Sequence, residues 1–231
     1  MIRKWEDLPK AMRTAELRPY YDALCRKRGQ LAAKRAFDVA FAVVLLILCA
    51  LPMAVIAVLI KLDSKGPVFY RQERVTAYGR HFRIHKFRTM VSDADKIGTA
   101  VTVGNDSRIT RVGSKLRHLR IDELPQLIDV IKGDMSFVGT RPEAVKYVKK
   151  YKREYLATLF LPAGITSEAS IRYKDEDRLL DAASDVDKVY VEDVLPEKMK
   201  WNLRSVREFS FGKDILTMFR TLRAVLGKEY R

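Results

Sequence analysis

Asp122 and Glu123 stand side by side in the stretch RIDELPQLIDVIKGDMSFVG. Leu124, Leu127, Ile128 and Ile131 follow at the i, i+3, i+4 and i+7 spacing of a buried helical stripe, and Pro125 is tolerated there because it falls in the first turn. Gly133 is placed to close this helix in a left-handed conformation. The two carboxylates therefore lie at a helix N-terminus, where free N–H groups and the helix dipole favour anions and phosphates. Three chemistries are open to them. Together they can hold Mg²⁺ against a pyrophosphate, one of them can attack phosphorus, or they are ordinary N-cap acids.

Cations suited to a diphosphate surround this stretch in sequence: Lys86, Arg88, Arg117, Arg120 and Arg141. A solvated basic face is the other meaning of such residues. Two acidic triplets, Asp93-Ala94-Asp95 and Asp175-Glu176-Asp177, would suit metal-dependent nucleotide-sugar transfer by another fold. His81 and His85 have the spacing of two metal ligands on a helix, but Phe82 and Ile84 alternate with polar residues as in a strand. On a strand the two imidazoles sit ~13 Å apart, too far to share a metal. There is no GxxxxGK phosphate loop, GxGxxG fingerprint or GxSxG elbow, so the familiar nucleotide-binding and hydrolase folds are disfavoured.

The elements that must position these groups begin with an apolar run. Val39 to Ile60 is 22 residues without a charge, ~33 Å of helix, about the thickness of a bilayer's hydrocarbon core. Pro52 inside it removes a backbone donor, so a break or kink is expected at Leu51-Pro52. Arg26, Lys27, Arg28, Lys34 and Arg35 precede the run, and Lys61, Lys65, Arg71 and Arg74 follow it. Flanks of that charge lie on the cytoplasmic side, which predicts a re-entrant helix-break-helix dipping into one leaflet. A single tilted span and a buried pair of core helices are the alternatives.

Residues 1–33 predict short amphipathic helices, the last closed by Gly29. After the Asp63–Pro67 turn, PVFYRQERV and RHFRIHKFR predict a β-hairpin. Ser92 to Asp95 carries helix-start chemistry. Lys213 to Leu226 places Ile215, Met218, Phe219, Leu222, Val225 and Leu226 on one helical face, for a core or for a membrane interface. The class is α+β and predominantly helical, with an extension (1–33), a membrane segment (34–62) and a cytoplasmic domain (63–231).

An excess of 44 basic over 29 acidic residues, +15 net, favours polyanionic partners: nucleic acid, anionic lipid or phosphorylated substrates. Cys25 and Cys49 cannot build a disulfide framework, which suits a reducing cytosolic face. The apolar run has no cleavage site after a short hydrophobic core and is expected to stay in the mature chain.

The order KRAFDVAF, apolar run with proline, GPVFYRQERV, FRIHKFRTM, IDELPQL, DVIKGDMSFVGTRPE and PAGIT closely resembles the bacterial sugar transferases called small monotopic phosphoglycosyl transferases, over roughly residues 34–226. The resemblance implies transfer of a sugar 1-phosphate from a UDP-sugar to polyprenyl (undecaprenyl) phosphate with release of UMP, initiating bacterial glycan synthesis. It implies Mg²⁺, a ping-pong route, and residence on the cytoplasmic face of the bacterial inner membrane through a re-entrant helix. By motif, Asp122 is the nucleophile and Glu123 its carboxylate partner at the metal. Lys86, Arg88, Arg117 and Arg141 bind phosphate or substrate, and Asp187 of DKVYV matches an acidic substrate-site position. Here Leu51-Pro52 replaces the usual Ser-Pro, GTRPE replaces GPRPE, and SEASIRYKDED follows PAGIT. Membrane lipid is an expected partner, and residues 1–33 are expected to pack on the membrane or on another copy as a homodimer. Nucleic acid is not expected, although an anchored basic module binding lipid or nucleic acid without catalysis is the different-class alternative.

Overall fold

The computed structural model describes residues 2–94, 106–173 and 185–227. Across the described residues the chain is mostly helical with two small two-stranded sheets. Helices α1 (Arg18–Cys25) and α2 (Arg28–Asp63) lead into the hairpin β1 (Phe69–Val75) and β2 (His81–Phe87). Then come α3 (Arg111–His118), α4 (Gln126–Lys132), β3 (Met135–Val138), α5 (Val145–Val148), β4 (Ala163–Thr166) and α6 (Glu168–Arg172). Helix α7 (Val186–Val189) continues through a π-helical turn (Tyr190–Val194) into α8 (Leu195–Arg207), and α9 (Phe211–Val225) follows.

The apolar N-terminal residues, for which the membrane or another copy is the expected cover, are packed on the chain itself. Leu8, Met12, Leu17, Tyr20, Tyr21 and Leu24 are buried in one core with Tyr155, Phe160, Met199 and Leu203. Their amphipathic pattern is satisfied by the chain's own apolar surface. Gly29, expected to close the last of the short helices, lies instead in the first turn of α2, and the chain turns at Arg26-Lys27.

Helix α2 runs through Pro52 without ending. The helix does not end at Leu51-Pro52, where a break or kink is expected, because a proline removes one bond and the turns on either side keep theirs. Both ends of α2 are fastened to the same body. Arg35 donates to the carbonyls of Val130 (2.6 Å) and Ile131 (2.9 Å) at the end of α4, and Lys34 pairs with Asp214 of α9 at 2.7 Å. At the far end Ile60 is buried with Phe87 and Leu116, and Asp63 Oδ2 accepts from Val112 N at the start of α3 (2.9 Å). Between them Ile47, Leu48, Leu51, Val55 and Val58 are exposed.

The hairpin forms as expected, antiparallel, with Tyr70 opposite Lys86 and Gln72 opposite Ile84. Its alternation turns Phe82 and Ile84 into a second core with Ala42, Leu127, Val130, Met135 and Phe137. Strands β3 and β4 pair in parallel, Met135 with Ala163 and Val138 with Thr166. The chains come so close beyond this pair that a Cβ on Gly164 would fall 2.2 Å from Gly139 N, which explains glycine at both positions. Helix α9 forms as the periodicity predicts, but it is no core helix. Leu216, Phe219, Leu222 and Leu226 are exposed, and Thr217 is buried.

Candidate active site

Thr110 Oγ1 caps α3 by accepting from Gly113 N at 3.0 Å. After α3 the chain reverses at Arg120, whose φ of 56° is left-handed, a conformation costly for a residue with a Cβ. A 3-10 turn, Ile121–Glu123, follows and leads through Leu124-Pro125 into α4. The carboxylates thus occupy their own tight turn rather than the first turn of the α-helix. Gly133 closes α4 with φ 87°, as expected.

Both carboxylates are buried, each 7% exposed, and their surroundings differ. Glu123 is gripped on both oxygens. Lys86 Nζ of β2 donates to Oε1 at 2.9 Å, and Arg141 donates from Nη1 to Oε2 at 3.2 Å and from Nη2 to Oε1. Burial alone would push the Glu123 carboxyl up, but the charges and hydrogen bonds of Arg141 and Lys86 override it and hold the group well below the usual carboxylate range. Burial likewise lowers the Lys86 ammonium, opposed by Glu123. Asp122 has no such grip: its Oδ1 is buried without a hydrogen-bond partner. Burial raises its pKa, Lys86 opposes that, Glu123 adds to it, and Arg117 and Arg120 oppose it through charge. One carboxylate anchors two cations, and its neighbour, with Oδ1 unpartnered, stands near Lys86, Arg117 and Arg120.

The placement of Arg141 follows from the glycine contact. Gly164 N donates to Thr140 O at 2.9 Å and Gly139 N to Thr166 O at 3.0 Å, so PAGIT clamps the GTRPE loop and Arg141 projects from it toward Glu123. Lys86, Arg117, Arg141, Asp122 and Glu123 are brought together. Arg88 is not. It is 5% exposed, and its guanidinium caps the end of α2, donating to Ser64 O (2.7 Å), Ser64 Oγ (3.0 Å) and Lys65 O (3.0 Å). Asp187 of α7 accepts instead from Lys146 Nζ (2.7 Å) and Tyr147 Oη (2.5 Å). Asp175-Glu176-Asp177 and Asp95 lie outside the described residues. Among the described residues no cluster of three or more His, Cys, Asp or Glu forms a metal cage.

The model of the bacterial sugar transferase family matches residues 29–228. The chain belongs to that family. Among curated sugar transferases it is 37% identical over 196 residues to the UDP-N-acetylgalactosamine-undecaprenyl-phosphate N-acetylgalactosaminephosphotransferase of Aeromonas hydrophila, covering 84% of this chain and 43% of that protein. It is 35% identical over 209 residues to the UDP-glucose:undecaprenyl-phosphate glucose-1-phosphate transferase of Escherichia coli, covering 88% of this chain and 42% of that one. With a putative undecaprenyl-phosphate N-acetylgalactosaminyl 1-phosphate transferase of Bacillus subtilis it shares 47% identity over 125 residues, 54% of this chain and 69% of the relative. The chain thus spans about two fifths of the length of the first and second of these.

Two buried groups of this family member escape sequence reasoning. His85 donates its backbone N–H to Asp129 Oδ2 (2.8 Å), and its Nδ1 meets Oδ1 at 2.6 Å. Gln126 is fully buried. The signal for both was a polar residue inside the apolar stripe Leu124–Ile131. As a site for Mg²⁺, the turn offers the Asp122 carboxylate, while Glu123 is already committed to cations. One carboxylate together with substrate phosphates suits that ion.

Proposed function

We propose that this chain is a monotopic phosphoglycosyl transferase that moves a sugar 1-phosphate from a UDP-sugar to polyprenyl (undecaprenyl) phosphate and initiates bacterial glycan synthesis. The observation that carries the reading is the asymmetry of the carboxylates: Glu123 is held by Lys86 and Arg141, and Asp122 is buried with an unpartnered oxygen. A buried carboxylate that no cation pairs, set in a cationic pocket, is an activated nucleophile for a diphosphate. The relatives named above act on undecaprenyl phosphate, two of them with UDP-sugars named as donors.

In this mechanism an Asp122 oxygen forms a bond to the β-phosphorus, the bond from that phosphorus to the bridging oxygen breaks, and UMP leaves with the electron pair. A phosphate oxygen of the polyprenyl phosphate then attacks the aspartyl sugar phosphate, and the Asp122 carboxylate is restored. Lys86, Arg141 and Arg117 offset the charge of the diphosphate, and Glu123 fixes the first two in place. Mg²⁺ held by Asp122 and the substrate phosphates would supply further neutralisation of the diphosphate and the leaving phosphate.

The acceptor is a lipid, and α2 brings the site to it. Both ends of α2 are fastened to one body while the apolar middle is exposed, which supports entry and exit on one membrane face, the cytoplasmic one. Pro52 is the place where such a helix bends most easily. The exposed Phe219, Leu222 and Leu226 of α9 lie on the interface.

Purified protein in detergent, supplied with Mg²⁺, polyprenyl phosphate and a panel of UDP-sugars, is expected to release UMP, and Asp122→Asn to abolish release while remaining folded. UDP in place of UMP would indicate a transferase of another kind, and an unaffected Asp122→Asn would remove Asp122 as nucleophile. Single cysteines placed at Gly29 and Lys65 in a Cys25→Ser, Cys49→Ala background are expected to react with an impermeant maleimide from the cytoplasmic side alone.

A further inference from the structure

Gln126 opens α4 and is fully buried, and neither Oε1 nor Nε2 of its side chain has a hydrogen-bond partner. Burying an amide unpaired costs stability, and an apolar residue of that shape would avoid the cost. A glutamine kept there at the expense of stability needs a partner in some state of the protein.

The neighbouring groups narrow that partner. Backbone bonds from Leu124 N to Ile121 O, Leu127 N to Leu124 O and Ile128 N to Pro125 O, each 3.1 Å, carry a helical path across the segment. Asp122 and Gln126 are four residues apart along it. Glu123 is committed to Lys86 and Arg141, and both oxygens of Asp129 are committed to His85. Asp122 Oδ1 is left, a buried acceptor without a donor, four residues from a buried amide without a partner.

We infer that Gln126 is a positioning residue of the nucleophile: its Nε2 donates to Asp122 Oδ1 in the reacting state and presents Oδ2 to the phosphorus. The inference rests on the reading of Asp122 as nucleophile. As Oδ2 forms its bond to phosphorus and UMP departs, Oδ1 becomes the carbonyl oxygen of the acyl phosphate, and the amide holds that carbonyl in its plane for the return attack. Gln126 touches no reacting atom itself.

The test is Gln126→Met in the full-length protein, assayed for UMP release in a single turnover without acceptor, for steady-state kcat and KM, and for thermal unfolding. The expected result is a fall in the UMP-release rate and kcat of roughly 10- to 100-fold, the effect of a misplaced reacting group, with KM within twofold and Tm equal or higher. Gln126→Glu keeps size and polarity but loses the donor, and is expected to lose rate as the methionine variant does. A normal rate in either variant, or a rate lost only in step with Tm, overturns the inference. If native protein releases no UMP while remaining folded, the reading of Asp122 falls, and this inference with it.

Discussion

Lys86 Nζ of β2 meets Glu123 Oε1 at 2.9 Å, and this contact ties the hairpin to the turn that carries Asp122. Arg141 closes on the same carboxylate from the GTRPE loop, so three separate segments converge on one side chain. Glu123 is thus an organiser of charge, and the substrate meets cations already set in position.

Removing that organiser leaves two partly buried cations facing each other. Glu123→Ala is expected to lose about 3 kcal/mol of stability, the scale of breaking a buried ion pair by deleting one partner, together with transferase activity. Urea unfolding of the detergent-solubilised protein measures it. A variant of native stability would show that Lys86 and Arg141 do not depend on Glu123.

Arg88 separates structure from catalysis. Its forked guanidinium serves carbonyls at the end of α2, so Arg88→Lys keeps the charge but cannot span Ser64 and Lys65 together. Stability is expected to fall by about 1.5–3 kcal/mol, the value of hydrogen bonds to a charged group, with KM for the UDP-sugar unchanged. A raised KM at native stability would return Arg88 to the substrate site.

The N-terminal residues yield a prediction of the same kind. Leu17 and Leu24 are 0% exposed within the main core. Leu24→Ala is expected to cost about 2–5 kcal/mol, as large-to-small core changes do, and to leave membrane association intact. A segment that only touched lipid would give the reverse: native stability and weaker sedimentation with vesicles.

These corrections show which features a sequence exposes. Periodicity made the hairpin, the stripe of α4 and the face of α9 legible, because each is a local pattern of side chains on one backbone. It could not say what covers an apolar face. The residues before Gly29 pack on their own chain, and the face of α9, equally apolar, remains uncovered. The positions of Asp122 and Glu123 were legible from IDELPQL, but their division of labour was not. That depends on Lys86 and Arg141, 37 and 18 residues away along the chain, reaching one carboxylate and leaving the other. Arg88 looked like its neighbour Lys86, and the difference between capping a helix and pairing an acid is set by which way each points from β2 and beyond.

Tyr147 carries a pH dependence whose sign can be worked out. It is 3% exposed and its Oη donates to Asp187 Oδ1 at 2.5 Å. Burial, reinforced by Asp187, raises its pKa far above the ordinary value. In the unfolded chain a tyrosine ionises near pH ~10. Above that pH the unfolded state gives up a proton that the native state keeps, so its stabilising contribution, complete below pH ~10, is lost progressively as pH rises toward the folded-state value. Tyr147→Phe removes this dependence. At pH 8 the variant is expected to be less stable by about 1 kcal/mol, for one hydrogen bond, while Lys146 still holds Asp187 at 2.7 Å. Above pH ~10 its stability is expected to fall less steeply than that of the native protein, by no more than ~1.4 kcal/mol per pH unit, so that the two curves converge. Urea unfolding at intervals from pH 8 to about 11.5 measures both slopes. Parallel curves throughout would mean that Tyr147 ionises as readily in the folded protein as in the unfolded chain.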